Sequence, residues 1–110
     1  MAVITKETIR QVVDTIASKF RPRKIIVFGS CAKGAQGPDS DLDILVVADS
    51  EQPHYRRATP IRLALCPSPC PMDILVYTQE EIERYNGVTN HIVTEALRHG
   101  VVMYEEDDGH

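Results

Sequence analysis

The chain has 110 residues, of which 43% are hydrophobic and 25% are charged, so it fits one globular domain over residues 1–110 and has no room for two cores. Its formal net charge of −4 argues against broad nucleic-acid binding, which needs clustered lysine and arginine. No apolar run approaches the ~18 residues of a membrane span, and the N-terminus does not resemble a signal peptide, so we expect a cytoplasmic protein. We expect residues 105–110 to form a frayed acidic tail.

The first predicted element is an amphipathic helix. Apolar residues recur at helical spacing between residues 9 and 20, which gives one apolar stripe. Thr5 is a suitable N-cap for this helix, and Pro22 ends it. The unbroken apolar run over residues 25–28 then predicts a short strand that is covered on both faces.

The middle of the chain predicts two further strands joined by a less regular segment. Residues 31–40 are rich in turn formers and predict a short helix followed by a loop. Residues 41–47 and 72–77 each predict a strand. Residues 53–65 predict a helix that Pro60 interrupts.

The last third of the chain predicts two helices and an edge strand. Thr78 begins a capping-box pattern and opens the first helix. Apolar positions over residues 92–97 define the second helix, with Gly100 as its C-terminal stop. Residues 101–104 predict an edge strand. Strands that alternate with helices indicate a sheet covered by helices.

Gly29 and Ser30 directly follow the first predicted strand and precede a predicted helix. Glycine lets a phosphate approach the backbone closely, and the amides at the start of a helix favour anions. The Ser30 hydroxyl adds a donor, and Lys33 adds a cation one turn later. The pattern predicts a phosphate-binding turn, although a strand, a Gly-Ser turn and a helix also occur together without any function.

Asp41 and Asp43 stand at the entrance of the second strand. Residues i and i+2 of a strand point to the same face, so the two carboxylates project together. Adjacent carboxylates repel each other unless a cation lies between them, and Mg²⁺ prefers oxygen ligands of this kind. The alternative is that Asp41 is a turn residue and Asp43 a rim carboxylate.

Asp73 interrupts an otherwise apolar third strand. The segments Asp43 to Val46 and Asp73 to Val76 have the same four residue types, so two neighbouring strands would bring their acids side by side. An acid at an exposed strand start is the alternative. Together, three carboxylates near a phosphate turn predict a two-metal site for phosphoryl or nucleotidyl transfer.

Other polar groups have simpler interpretations. Arg56, Arg57 and Arg62 could meet phosphates or an acidic partner, but solvated helix charge is the simpler interpretation. Cys66 and Cys70 are the two ends of a Cys-Pro-Ser-Pro-Cys segment, which could chelate a metal or form a disulfide. A loop with reduced thiols is favoured, because two thiols without a nearby histidine make a poor zinc site.

The sequence resembles a known family at these motifs. G-S-C-A-K-G, then S-D-L-D, then M-D-I-L-V-Y are similar to the nucleotidyltransferase superfamily that includes DNA polymerase beta, and most of all to its minimal, MNT-type members. The resemblance implies an α+β fold with a mixed sheet flanked by helices. It also implies an enzyme that uses Mg²⁺, two ions in all, and a nucleoside triphosphate such as ATP.

The resemblance further implies residue roles. Gly29 and Ser30 would bind the triphosphate, and Asp41 and Asp43 would bind both metals. Asp73 would bind the catalytic metal and help to deprotonate the acceptor hydroxyl. Lys33 matches a position that is variable but often basic.

MNT-type proteins are often encoded beside a HEPN-type toxin and act as antitoxins, some by attaching AMP to a tyrosine of the toxin. We therefore expect AMP transfer to such a partner, in a hetero-oligomer and without nucleic-acid or membrane binding. One alternative is an antitoxin that neutralises its partner by contact alone. Another is a transferase for a small molecule of the aminoglycoside kind, for which 110 residues leave little room.

Overall fold

The computed structural model describes residues 4–32 and 41–106. Within them lie four strands and five α-helices, and a 3₁₀ turn at Gly29–Cys31 follows the first strand. In chain order the elements are α1 Lys6–Phe20, β1 Lys24–Phe28, β2 Leu42–Val47, α2 His54–Arg57, α3 Thr59–Ala64, β3 Met72–Tyr77, α4 Gln79–Tyr85, α5 Ile92–His99 and β4 Val101–Glu105.

The four strands form one mixed sheet in the order β3-β2-β1-β4. Strand β1 is antiparallel to both of its neighbours, whereas β2 and β3 run parallel. Helices cover both faces of the sheet, so the predicted α+β fold with a mixed, helix-flanked sheet is confirmed. No helix in the described ranges is long and apolar enough to cross a membrane.

Apolar packing on the two faces of the sheet explains why the central strands read as unbroken apolar runs. On one face, here called the α1 face, Ile25 and Ile44 pack with helices α1 and α3. On the other, here called the α5 face, Ile26 and Leu45 pack with α4 and α5. Because β1 and β2 are covered on both faces, neither set of alternating residues faces solvent, and both sets are apolar.

Local sequence signals set most of the helix ends. The Thr5 hydroxyl accepts from the Thr8 amide at 3.1 Å and caps α1, as predicted. Thr78 and Glu81 form the predicted capping box at the start of α4. Gly100 is the C-cap of α5. These caps act within one turn of the chain, which is why the sequence alone reveals them.

The interruption predicted at Pro60 is present, and one other segment differs from the prediction. Residues 53–65 form two short helices, because Pro60 lies in the first turn of α3 and opens that helix. Glu105, assigned to a frayed tail, is the last residue of β4. Its carboxylate pairs with Lys24 at 3.3 Å, and the Glu106 amide donates to the Arg23 carbonyl at 2.9 Å.

Candidate active site

The strand register places three of the predicted site residues in a line across one end of the sheet. Phe28, the last residue of β1, pairs with Asp43 near the start of β2, so Gly29 follows directly beside Asp43. Asp43 in turn pairs with Asp73 in the parallel register of β2 and β3. We call this end of the sheet, with Gly29, Ser30, Asp41, Asp43 and Asp73, the acidic edge.

The carboxylates of Asp43 and Asp73 share one face of the sheet. Residues paired in register lie on the same face of neighbouring strands, which are about 4.8 Å apart. The residues on either side of Asp43, Leu42 and Ile44, pack into the core of the α1 face, so Asp43 projects to the α5 face. Asp41 is exposed and lies just before β2, two residues from Asp43.

The carboxylate of Asp43 is partly buried and is repelled by the neighbouring acids of this edge. Partial burial raises the pKa of the Asp43 carboxyl above its ordinary value, and the charges of Asp73 and then Asp41 raise it further. Each of these effects disfavours the ionised form. A cation placed among these acids would remove the repulsion.

Gly29 makes close contact with Asp43 possible. Its φ of +75° is a conformation that side-chain-bearing residues rarely adopt. A Cβ at this position would lie 2.3 Å from Oδ2 of Asp43, which is well inside van der Waals contact. Glycine is therefore needed here twice, for the backbone angle and for the space that the carboxylate occupies.

Cys31 connects the Gly-Ser turn to the start of β2. Its thiol donates to the carbonyl oxygen of Asp41 at 3.5 Å and is buried. Burial, and then the charge of Asp43, raise the pKa of the thiol, while a hydrogen bond with Ser30 acts in the opposite sense. A protonated thiol suits a packing role between the Gly-Ser turn and β2 better than that of a nucleophile.

Of the predicted nucleotide-binding residues Ser30 and Lys33, the structure describes only Ser30. Ser30 is half-buried in the 3₁₀ turn, next to Gly29. Lys33 lies outside the described residues, so its predicted contact with phosphate stays a prediction. The register thus brings together Gly29, Asp43 and Asp73, with Ser30 and Asp41 one or two residues away.

The donor set fits magnesium in kind. Mg²⁺ is usually held by one or two carboxylates together with phosphate oxygens of the substrate, rather than by a complete protein cage. No three His, Cys, Asp or Glu side chains within residues 4–32 and 41–106 form a ready-made metal cluster. Asp43 and Asp73 are therefore the adjacent pair that the fold assembles, and metal binding by Asp41 stays a prediction.

Three arginines were assigned to solvated helix charge, and the structure gives two of them an acidic partner. Arg57 is only 10% exposed and pairs with Glu81 between α2 and α4. Arg62 contacts Asp73 at the acidic edge, with Nη2 3.9 Å from Oδ1. No sequence signal links Arg62 to an acid 11 positions away, because that contact depends on how α3 packs.

The fold and its acidic edge define a domain of the kind that transfers nucleotides, and comparisons with known proteins make the family explicit. A model of the nucleotidyltransferase domain matches residues 9–103. The chain therefore belongs to the nucleotidyltransferase domain family, which supports transfer of a nucleoside monophosphate.

Two individual proteins are similar to the chain. The "Putative protein adenylyltransferase MJ0604" of Methanocaldococcus jannaschii is 46% identical over 46 residues, which is 40% of this chain and slightly less than half, 46%, of that protein. The crystal structure of a "putative nucleotidyltransferase" from Sulfolobus solfataricus has a TM-score of 0.64 at 22% identity. This likeness of fold covers 94% of the present chain and 82% of the other.

Proposed function

We propose that the protein transfers AMP from ATP to a hydroxyl group, most specifically to a tyrosine of a HEPN-type toxin, and thereby acts as an antitoxin. The observation that carries the proposal is the position of Asp43 on β2, between Gly29 just after the end of β1 on one side and Asp73 on β3 on the other. A phosphate-binding turn on one side of Asp43 and a second acid on the other suit the transfer of a nucleotide from its triphosphate to an acceptor hydroxyl.

In this proposal each residue of the acidic edge has one task. Gly29 and Ser30 hold the triphosphate, together with Lys33. Asp41 and Asp43 would hold two Mg²⁺ ions, and Asp73 would help to hold one of them. When bound, the ions neutralise charge on the phosphates and help the hydroxyl lose its proton.

The reaction is a displacement at the α-phosphorus. The acceptor oxygen forms a bond to that phosphorus while the bond to the β-phosphate oxygen breaks, and pyrophosphate leaves. The acceptor proton passes to Asp73 or to water beside it. Asp43 keeps the transferred group between Gly29 and Asp73, and its carboxylate must be ionised to do so, despite its raised pKa.

Support for adenylate and for a protein acceptor comes from the relative in Methanocaldococcus jannaschii, which is named for protein adenylylation. Its matched segment covers slightly less than half of that protein, so substrate and partner are part of the proposal. The HEPN-type partner follows from the resemblance of the motifs to MNT-type proteins.

The test is transfer of label from α-labelled ATP to a co-purified HEPN-type protein in the presence of Mg²⁺. Wild type should label the partner, and Asp43→Asn should reduce labelling at least 100-fold. Asp14→Asn, which changes an exposed acid on α1, is the matched control and should retain full activity. Full labelling by Asp43→Asn would refute the proposed catalytic role.

A contact-only antitoxin is the second candidate. It follows from the same resemblance, because only some MNT-type antitoxins are expected to act by attaching AMP. A protein that neutralises its partner by binding needs no metal. If Asp43→Asn fails to transfer AMP but still neutralises the partner completely, this second function is the correct one.

A further inference from the structure

Helix α3 brings one arginine to the start of β3. Nη1 of Arg62 donates to the carbonyl oxygen of Met72 at 3.3 Å, and Nη2 lies 3.9 Å from Oδ1 of Asp73. Because these contacts are with consecutive residues, the guanidinium lies against the acidic edge. The side chain of Arg62 is 50% exposed and that of Asp73 is 60% exposed, so ions from solvent can reach both.

Arg62 offsets part of the negative charge at this edge. Asp43 and Asp73 lie side by side in the register of β2 and β3, and Asp41 lies two residues before Asp43, so three carboxylates meet at this edge. Among the ion pairs of the described residues, the pair between Arg62 and Asp73 is the one that includes an acid of this edge. A guanidinium stays charged at every pH at which proteins are normally folded, so this positive charge is permanent.

We infer that Arg62 is a resident counter-ion of Asp73 and that a divalent cation must compete with it for the carboxylate. Arg62 would then set the cation concentration at which the site fills. The inference rests on the proposed function, since it takes Asp73 to be a cation ligand. It makes Arg62 a positioning residue that acts through Asp73.

The sign of the effect separates this role from a structural one. A divalent cation and a guanidinium about 6 Å apart, in a medium with an effective dielectric constant of about 40 to 80 and about 0.15 M salt to screen them, repel each other enough to change affinity about three- to ten-fold. Removing the arginine charge therefore tightens cation binding. If Arg62 only held β3 in place, its loss would weaken cation binding or leave it unchanged.

The experiment measures Mn²⁺ binding to the full chain without nucleotide, by electron paramagnetic resonance and calorimetry. Arg62→Gln should lower the Kd for Mn²⁺ about three- to ten-fold. Arg84→Gln breaks an exposed pair with Glu80 on α4, and this control should leave the Kd unchanged. An unchanged or raised Kd for Arg62→Gln, or no Mn²⁺ binding by either protein, would overturn the inference.

Two more variants show whether the change in Kd depends on the charge of residue 62 and on Asp73. Arg62→Lys keeps the charge, so its Kd should stay within about two-fold of wild type, and tightening as strong as in Arg62→Gln would contradict the counter-ion role. In an Asp73→Asn background the effect of Arg62→Gln should shrink, because the two residues are coupled. An effect of full size in that background would also contradict it.

The failure of the proposed function would look different. If Asp43→Asn binds Mn²⁺ as well as wild type does, the proposed metal site is wrong, whatever Arg62 does. If Asp43→Asn loses Mn²⁺ binding while Arg62→Gln leaves the Kd unchanged, the metal site stands and only the inference about Arg62 fails.

Discussion

The carboxylate of Asp43 occupies the space that a Cβ of residue 29 would need, with Oδ2 only 2.3 Å from that position. Gly29 directly follows β1 and Asp43 is the second residue of β2, and the antiparallel register of Phe28 with Asp43 brings them together. This contact joins the predicted phosphate turn to the predicted metal ligands. It also means that a change at position 29 must displace the carboxylate.

Gly29→Ala should therefore impair both the fold and the site. The new Cβ would clash with Asp43, and alanine is strained at a φ of +75°. We expect a loss of about 2–4 kcal/mol in the free energy of unfolding, measured by urea denaturation, and near-complete loss of AMP transfer.

Gly87→Ala is the matched control for that prediction. Gly87 has a φ of +88°, but a Cβ there would meet no atom within 4 Å. It shares the backbone strain without the clash, so we expect about 1 kcal/mol of destabilisation and normal activity. Equal effects of the two substitutions would mean that the contact with Asp43 has no importance.

Asp43→Asn should stabilise the protein while it abolishes transfer. Burial and neighbouring acids raise the pKa of Asp43, so the ionised carboxylate costs stability at neutral pH. We expect the Tm at pH 7 to rise by about 3 °C. A lower Tm at pH 7 would show that the carboxylate is stabilising and that the repulsion is not real.

The same substitution has a pH dependence of known sign. Because the folded-state pKa is raised, the native protein binds more protons than the unfolded chain between the ordinary and the raised pKa, so stability falls as pH rises through that window. The difference in Tm between Asp43→Asn and wild type should vanish below the ordinary pKa of aspartate. Thermal unfolding from acidic to neutral pH measures it.

The pair between Arg57 and Glu81 should respond to pH in the opposite direction. The hydrogen bond from Arg57 is the largest cause of the lowered pKa of Glu81, and the Thr78 amide also donates to that carboxylate at 2.9 Å. The stability that it contributes is present above the ordinary pKa of glutamate and is lost as pH falls through the lowered value.

Glu81→Gln measures this contribution at pH 7. It leaves the partly buried Arg57 without its charged partner, and we expect the free energy of unfolding to fall by about 1–3 kcal/mol. Glu80→Gln breaks an exposed i,i+4 pair with Arg84 and should have little effect. Equal losses for the two variants would contradict a special role for Arg57.

Ser30→Ala tests the predicted phosphate turn with little risk to the fold. If the hydroxyl donates to the triphosphate, the KM for ATP should rise about five-fold and kcat should change little. Ser18→Ala is the control, because that hydroxyl bonds to the Thr15 carbonyl within α1. Unchanged KM for Ser30→Ala would remove Ser30 from the nucleotide site.

Structural features were predictable from the sequence when they depend on interactions between residues close together in the chain. Caps such as Thr5 and Thr78 and the apolar runs of β1 and β2 act within a few residues, so they were predictable. The neighbouring positions of Asp43 and Asp73 were expected from their matching segments, and the register agrees with that expectation.

Contacts between distant segments were not predictable from the sequence. The packing of α3 brings Arg62 to Asp73, and the packing of α2 against β3 brings Arg57 to Glu81 and the Val76 carbonyl. Both arginines look like ordinary helix charges in the sequence. Their roles depend on tertiary packing, for which a single chain carries no local signal.

The central claim is that Gly29, Asp43 and Asp73 form one site for nucleotide and divalent cation. It is tested most directly by anomalous scattering from crystals grown with Mn²⁺ and a non-hydrolysable ATP analogue. We predict Mn²⁺ peaks within coordination distance of Asp43 and Asp73, with the triphosphate against the Gly29–Ser30 turn. Nucleotide and Mn²⁺ bound elsewhere, with this edge of the sheet free of both, would contradict the account.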